Sequence, residues 1–167
     1  LRFLRSRLVC RAVSFRSFRT LAFHPLRPAF PMSTAAVSLG YVILYVRDVA
    51  ASLAFYEKAF GLARRFFHDE GGLAYGELET GATRLAFASL AMAKLNLKQE
   101  LVTSTPAAAP LASEIGLVTP DVAGLFARAL AAGATAQAEP AAKPWGQVVA
   151  YVRDPDGHLV EICSPMG

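Results

Sequence analysis

One internal repeat constrains this chain more than any other feature. "YVILYVRDVA" (41–50) aligns with "EIGLVTPDVA" (114–123) at an offset of 73 residues. Each is an apolar strand that ends in Asp-Val-Ala and enters a helix stopped by a glycine, Gly61 in the first copy and Gly133 in the second. In the first helix Val49, Leu53, Tyr56 and Phe60 recur at helical spacing, and Asp48 stands where an N-cap is needed. Strand-like segments follow both helices: "ARRFFH", "LAYGELE" and "TRLAFAS" in one half; Ala134–Ala138, "QVVAYVR" and "HLVEICS" in the other. Each half therefore reads β-α-β-β-β. About 55 residues make a marginal unit alone, so the two must share a core. The expected fold is α+β, with module one at 37–90, a connector at 91–112 rich in Pro and Ala, and module two at 113–166.

The tetrapeptide YVRD occurs twice, at Tyr45–Asp48 and Tyr151–Asp154, but outside the register of the repeat. The first copy leads into a helix and the second into the turn "DPDG", so the shared letters do not mark equivalent positions. Asp154 and Asp156 serve turn geometry. On the strand that follows, Leu159, Glu161 and Cys163 share one face and His158, Val160 and Ile162 the other. His158 and Glu161 therefore diverge. Arg84 and Arg153 are read as surface-pairing residues.

Charge is unevenly spread. Residues 1–35 hold seven arginines and no Lys, Asp or Glu, which leaves ten basic and thirteen acidic side chains, a formal −3, for the rest. That balance excludes a phosphate-binding surface on the folded part, and no nucleic-acid partner is expected. The basic stretch reads as a transit peptide or a non-native leader over residues 1–33, with Met32 as the alternative start. The expected location is cytoplasmic if Met32 is the start, and mitochondrial or plastid otherwise. The longest apolar stretch, Val37–Val46, is far short of the roughly 20 residues a spanning helix needs, so no membrane partner is expected. With Cys10 in the leader, Cys163 is left without an intrachain disulfide partner, which fits a reducing compartment.

"VILYVRDVAASLAFYEKAFGL" and "KPWGQVVAYVRDPDGHLVEI" closely resemble the vicinal-oxygen-chelate superfamily of glyoxalase I, bleomycin-resistance and extradiol-dioxygenase-like proteins. The resemblance covers about residues 37–166. It implies two βαβββ modules forming a partly open, cleft-bearing barrel, and a homodimer. Members that use a metal place ligands, usually His and Glu, on the first and last strand of each module. With Gly81 and Gly157 taken as equivalent, those positions read Tyr41, Leu85, Glu114 and Glu161. Only Glu161 matches, since Leu85 has no donor and a phenol ligates poorly near neutrality. The usual transition metal is therefore not expected, and Glu114 with Glu161 would at most hold Mg²⁺ or Mn²⁺.

Parity places Tyr41, Ile43 and Tyr45 on one face of the first strand and Glu114, Gly116 and Val118 on its counterpart. Adding Phe87, Leu85 and Trp145 gives an aromatic, acidic cleft suited to a flat or cationic organic molecule. The expected ligand-binding set is Tyr41, Ile43, Leu85, Phe87, Glu114, Trp145 and Glu161, with Glu161 and Glu114 as candidates for any acid–base role. The leading expectation is metal-independent binding of a small organic molecule. The alternatives are a lactoylglutathione lyase-like or dioxygenase-like enzyme with an oxygen-rich metal site, and a non-catalytic interaction subunit.

Overall fold

The computed structural model describes residues 37–167; the expected leader, with Cys10 and Met32, lies outside them. The first module runs β1 (Tyr41–Val46), α1 (Val49–Phe60), β2 (Arg64–Glu70), β3 (Leu73–Leu78) and β4 (Arg84–Ser89). A helix, α2 (Leu90–Leu97), then opens the connector, and the second module runs β5 (Glu114–Val118), α3 (Val122–Ala132), β6 (Thr135–Ala142), β7 (Val148–Arg153) and β8 (Leu159–Cys163). The sheets have matching orders, β1-β4-β3-β2 and β5-β8-β7-β6. In each, the first strand pairs parallel with the last and the remaining pairings are antiparallel. The fold is α+β, and no strand of one sheet pairs with a strand of the other, so the sheets do not close into a barrel. Among the described residues, no helix is long and apolar enough to cross a membrane.

Local chemistry sets the helix limits. Asp48 and Asp121 accept hydrogen bonds from the backbone N–H of Ala51 and Gly124, satisfying donors in the first turns of α1 and α3. Gly61 and Gly133 adopt the left-handed conformation that ends each helix. Helix α2 lacks a clear apolar period, which is why the sequence read as plain connector there. Ser89 caps it, accepting from Met92 N–H.

Both helices pack on each other and on the inner side of their own sheets, giving one core. In module one that side presents Val46, Leu78, Leu85 and Phe87, and the Phe87 ring lies 4.9 Å from the Tyr56 ring of α1. Gly76 completes the fit, because a Cβ there would sit 2.5 Å from Leu53 Cδ1. Val160, Ile162, Ala150 and Val152 occupy the same side of the second sheet under Val122, Phe126 and Ala129 of α3. Arg128 of α3 donates to the carbonyl of Ala59 at 2.8 Å, tying the two helices together.

The DPDG turn joins the modules as well as turning the chain. Asp154 Oδ2 accepts from Tyr56 Oη at 3.1 Å, and Asp156 Oδ2 accepts from Ser52 Oγ at 2.8 Å, both donors being on α1. Arg47 donates to the Pro155 carbonyl at 2.8 Å and forms an ion pair with Asp156 at 3.1 Å. Arg153, expected at the surface, is instead only 2% exposed. Its guanidinium donates to the carbonyls of Gly157, Thr105 and Ala108 at 2.6, 2.9 and 3.1 Å. A buried guanidinium needs its donors satisfied, and the turn and connector carbonyls supply the acceptors. The arginines of the two YVRD tetrapeptides, unrelated by the repeat, thus converge on one turn.

Candidate functional site

Since the helix-bearing sides of both sheets face one core, their other sides form two open faces. In module two, β5 contributes Glu114, Gly116 and Val118, and β8 contributes Leu159, Glu161 and Cys163, in a register that sets Gly116 beside Glu161. Tyr151 of β7 lies across from Glu161 and its hydroxyl donates to Glu161 Oε2 at 2.7 Å. That hydrogen bond, with burial and the negative charges of Glu161 and Glu114, pushes the Tyr151 phenol up to about 12. Burial also raises the Cys163 thiol, and its hydrogen bond to Glu161 adds to the rise. The Glu161 carboxylate is therefore oriented by a neutral donor, the Tyr151 hydroxyl. Neither Glu161 nor Glu114 forms an ion pair among the described residues. A Cβ built at Gly116 would meet nothing within 4 Å, so the space beside Glu161 is open.

The open face of module one is built differently. Tyr41, Ile43 and Tyr45 of β1 register with Arg84, Ala86 and Ala88 of β4. On β3, Tyr75 donates to Glu77 Oε1 at 2.9 Å, while Arg65 and Arg84 approach Glu77 Oε2 at 3.4 and 3.5 Å. Burial, followed by the bond to Glu77, pushes the Tyr75 phenol up to about 12. Here a tyrosine-held carboxylate has guanidinium partners, which Glu114 and Glu161 lack among the described residues.

The expected site residues are distributed as follows. Glu114 and Glu161 come together on the second sheet, and Tyr41 and Ile43 on the first, with Tyr41 58% exposed. Trp145 stands at the β6–β7 turn, 61% exposed, its indole N–H donating to Gln147 Oε1. Leu85 and Phe87 require correction: they lie on the helix side, 5% and 0% exposed, and belong to the core. The cause is a one-residue difference between hairpins. Three positions separate Gly81 from Arg84, the partner of Tyr41, but only two separate Gly157 from Leu159, the partner of Glu114. One residue reverses strand parity, so the counterpart of Glu161 is Ala86. Sequence reasoning also missed Tyr75, Glu77 and Tyr151. The i, i+2 spacing of Tyr75 and Glu77 within β3 was a usable signal for one pair.

At the four positions where the resemblance implies metal ligands, the chain thus carries Tyr41, Ala86, Glu114 and Glu161. These include no imidazole, and one has no donor atom, so the set does not fit a transition-metal centre of the His/Glu kind. Among the described residues, no three His, Cys, Asp or Glu side chains are grouped to hold a metal ion.

Known proteins agree with this architecture. A solved glyoxalase-related enzyme from Fulvimarina pelagi is 27% identical, covers 77% of this chain and 88% of its own, and superposes with a TM-score of 0.65. TioX from Micromonospora sp. ML1 is 25% identical over 77% of this chain and 98% of its own, with a TM-score of 0.56. A glyoxalase I variant from Zea mays, 22% identical, shares the fold at a TM-score of 0.58 over 75% of this chain and 46% of its own. No curated protein sequence matches the chain significantly. A family model matches residues 38–162, and the protein belongs to the Glyoxalase/Bleomycin resistance protein/Dioxygenase superfamily.

Proposed function

We propose that this protein binds a small organic molecule without the transition metal used elsewhere in its superfamily, in a cleft completed by a second copy of the chain. The observation that carries the reading is the Glu161 carboxylate. It occupies a family ligand position, is held by Tyr151, has Glu114 on the same face, and has no cationic partner among the described residues. An anion enclosed without a counter-charge is costly, which favours a ligand bearing an ammonium, amidinium or protonated ring nitrogen. Exposed Tyr41 and Trp145 supply aromatic surface for the flat part of such a molecule. The helix-to-helix packing supports a homodimer. One chain turns its two open faces away from a common core, which favours a second copy of the chain as the wall that closes the cleft.

Titration calorimetry with aromatic cations, alongside light scattering for mass, tests this. A dimer is expected, with saturable binding that weakens roughly tenfold or more in Glu161→Gln, the scale of a lost charge-assisted hydrogen bond. Stoichiometric binding of Mg²⁺, Mn²⁺, Ni²⁺ or Zn²⁺ that disappears in Glu161→Ala would overturn the metal-independent reading in favour of a metalloenzyme. A dimer indifferent to both metals and organic cations would leave an interaction subunit.

A further inference from the structure

The two sheets end differently at β2 and β6, the edges opposite β1 and β5. A sheet edge presents unpaired backbone N–H and C=O groups that invite another strand, and proline or bulges commonly blunt it. β6 is blunted both ways. It carries Pro140, and its register against β7 breaks twice, between Ala136 and Ala138 and between Ala138 and Ala141. β2 carries no proline, and its one break, between Arg64 and Phe66, lies at its start. From Phe66 to Glu70 it pairs regularly with β3, and every residue of β2 is exposed.

Alternation along the hairpin identifies the free backbone groups. Glu79 N–H donates to the Ala63 carbonyl, so Glu79, Glu77 and Tyr75 turn their backbone groups towards β2. Ala74 turns the other way, its N–H donating to Ser89 Oγ of β4. His68, the register partner of Tyr75, is therefore bonded within the sheet, whereas Phe67 and Asp69 point N–H and C=O to the free edge. No other segment of the described residues takes those groups.

Charge selects the partner. β2 reads Arg64, Arg65, Phe66, Phe67, His68, Asp69, Glu70: basic at one end, acidic at the other, with Phe67 at the centre. A two-fold axis at Phe67 lays the basic end of each copy along the acidic end of the other, while parallel pairing stacks like on like. Neither Asp69 nor Glu70 forms an ion pair with Lys or Arg among the described residues. Arg64 and Arg65 are held by Glu57, Glu77 and Glu79. A guanidinium has five N–H donors, however, and Arg64 uses only Nε and Nη2 on Glu57.

We propose that β2 is an interface for a second copy of this chain, the two β2 strands pairing antiparallel about Phe67. Each Phe67 exchanges two N–H···O=C bonds with its counterpart, and the two four-stranded sheets run on as one. The contact is separate from the cleft proposed above, because Tyr41 and β1 stand at the opposite edge of the same sheet. β2 pairing alone gives a dimer, and together with the cleft contact it gives a larger assembly.

The test is amide hydrogen exchange of the full chain, read residue by residue at rising protein concentration, with light scattering for mass. His68 should be protected throughout. Phe67 and Asp69 should exchange freely when dilute and gain protection as the mass rises. Phe67→Pro removes the outward N–H, which an edge strand tolerates where that N–H faces solvent. It should keep Asp69 at the free rate at every concentration while His68 stays protected. Glu70→Lys changes a side chain that is 87% exposed and leaves the backbone groups in place. It should weaken the pairing roughly fivefold or more, because two symmetry-related surface charge contacts are lost at once. That variant remains decisive if the proline variant does not fold. Added salt should weaken the pairing too. The proposal is overturned if Phe67 and Asp69 stay unprotected while the mass doubles, which would leave the cleft contact alone. Protection independent of concentration would overturn it as well, since another segment of the same chain would then cover the edge. So would an association indifferent to both Glu70→Lys and salt.

Discussion

The two modules share strand order, helix caps and core side, yet they use their open faces in opposite ways. Module one surrounds its carboxylate: Glu77 receives the Tyr75 hydroxyl and has Arg65 and Arg84 within 3.5 Å. Module two leaves the carboxylates of its open face without such partners: Glu161 receives the Tyr151 hydroxyl, with Glu114 nearby and no guanidinium paired to either among the described residues. The backbone is nearly the same, so the difference lies in a few side chains at alternating positions. A closed charge network stabilises a surface, whereas an oriented anion lacking a counter-ion can recognise something. The superfamily's shared architecture therefore says little about chemistry, and the placement of arginines says more.

The largest expected effects test whether side-chain direction was assigned to the correct face. Phe87→Ala removes a fully buried ring packed at a tilt against Tyr56, and should cost about 3–5 kcal/mol in urea unfolding. Trp145→Ala, at an exposed turn of module two, should change stability by less than about 0.5 kcal/mol. Equal costs would show that the core assignment of Phe87 is wrong. The turn glycines come next. Gly81 and Gly157 share a φ of +90°, but only at Gly157 would a Cβ collide with backbone, 2.3 Å from the Thr105 carbonyl carbon. Gly81→Ala should cost about 1–2 kcal/mol, the strain of a left-handed residue. Gly157→Ala should exceed it by roughly 2 kcal/mol, because the connector must also move. Comparable losses would mean that the second turn is no more tightly docked than the first.

The fold was legible because its signals are local. Asp-Val-Ala at the strand ends, glycine stops and apolar alternation each act within a few residues, and together they fixed the order of elements in both modules. Two parts of the site were not legible. Where Gly81 and Gly157 stand relative to their strands depends on hairpin length, and one extra residue placed Leu85 and Phe87 in the core instead of the cleft. The clamp of Arg47, Tyr56 and Ser52 on Pro155, Asp154 and Asp156 joins residues about a hundred positions apart, so nothing in either local window announced it. Arg153 looked like a surface residue for the same reason: its acceptors are carbonyls of the connector, and a carbonyl leaves no mark in the sequence.

That clamp yields the smallest effect and the most specific one. Burial raises the pKa of Asp154, and neighbouring Asp156 adds to the rise. His158, through its charge and its backbone N–H, and the Tyr56 hydroxyl pull the other way. A carboxyl whose folded pKa lies above its unfolded value holds its proton more tightly when folded. Its contribution to stability is therefore complete below the unfolded pKa and is lost as pH rises through the folded one. Ionised Asp154 thus weakens the native state at neutral pH, and mild acid relieves that cost. In Asp154→Asn this titration is absent, while an acceptor oxygen remains for the Tyr56 hydroxyl or the His158 N–H. Melting temperatures of the two proteins, compared between neutral and mildly acidic pH, should diverge in favour of the wild type as pH falls. The change should be a few degrees at most, since roughly 2–4 °C corresponds to 1 kcal/mol in a chain of this size. A wild-type advantage that shrank on acidification would mean that Asp154 is stabilised as the anion. The inter-module clamp would then be an ionic contact like that of Arg47 with Asp156, and not a buried hydrogen-bonded carboxyl.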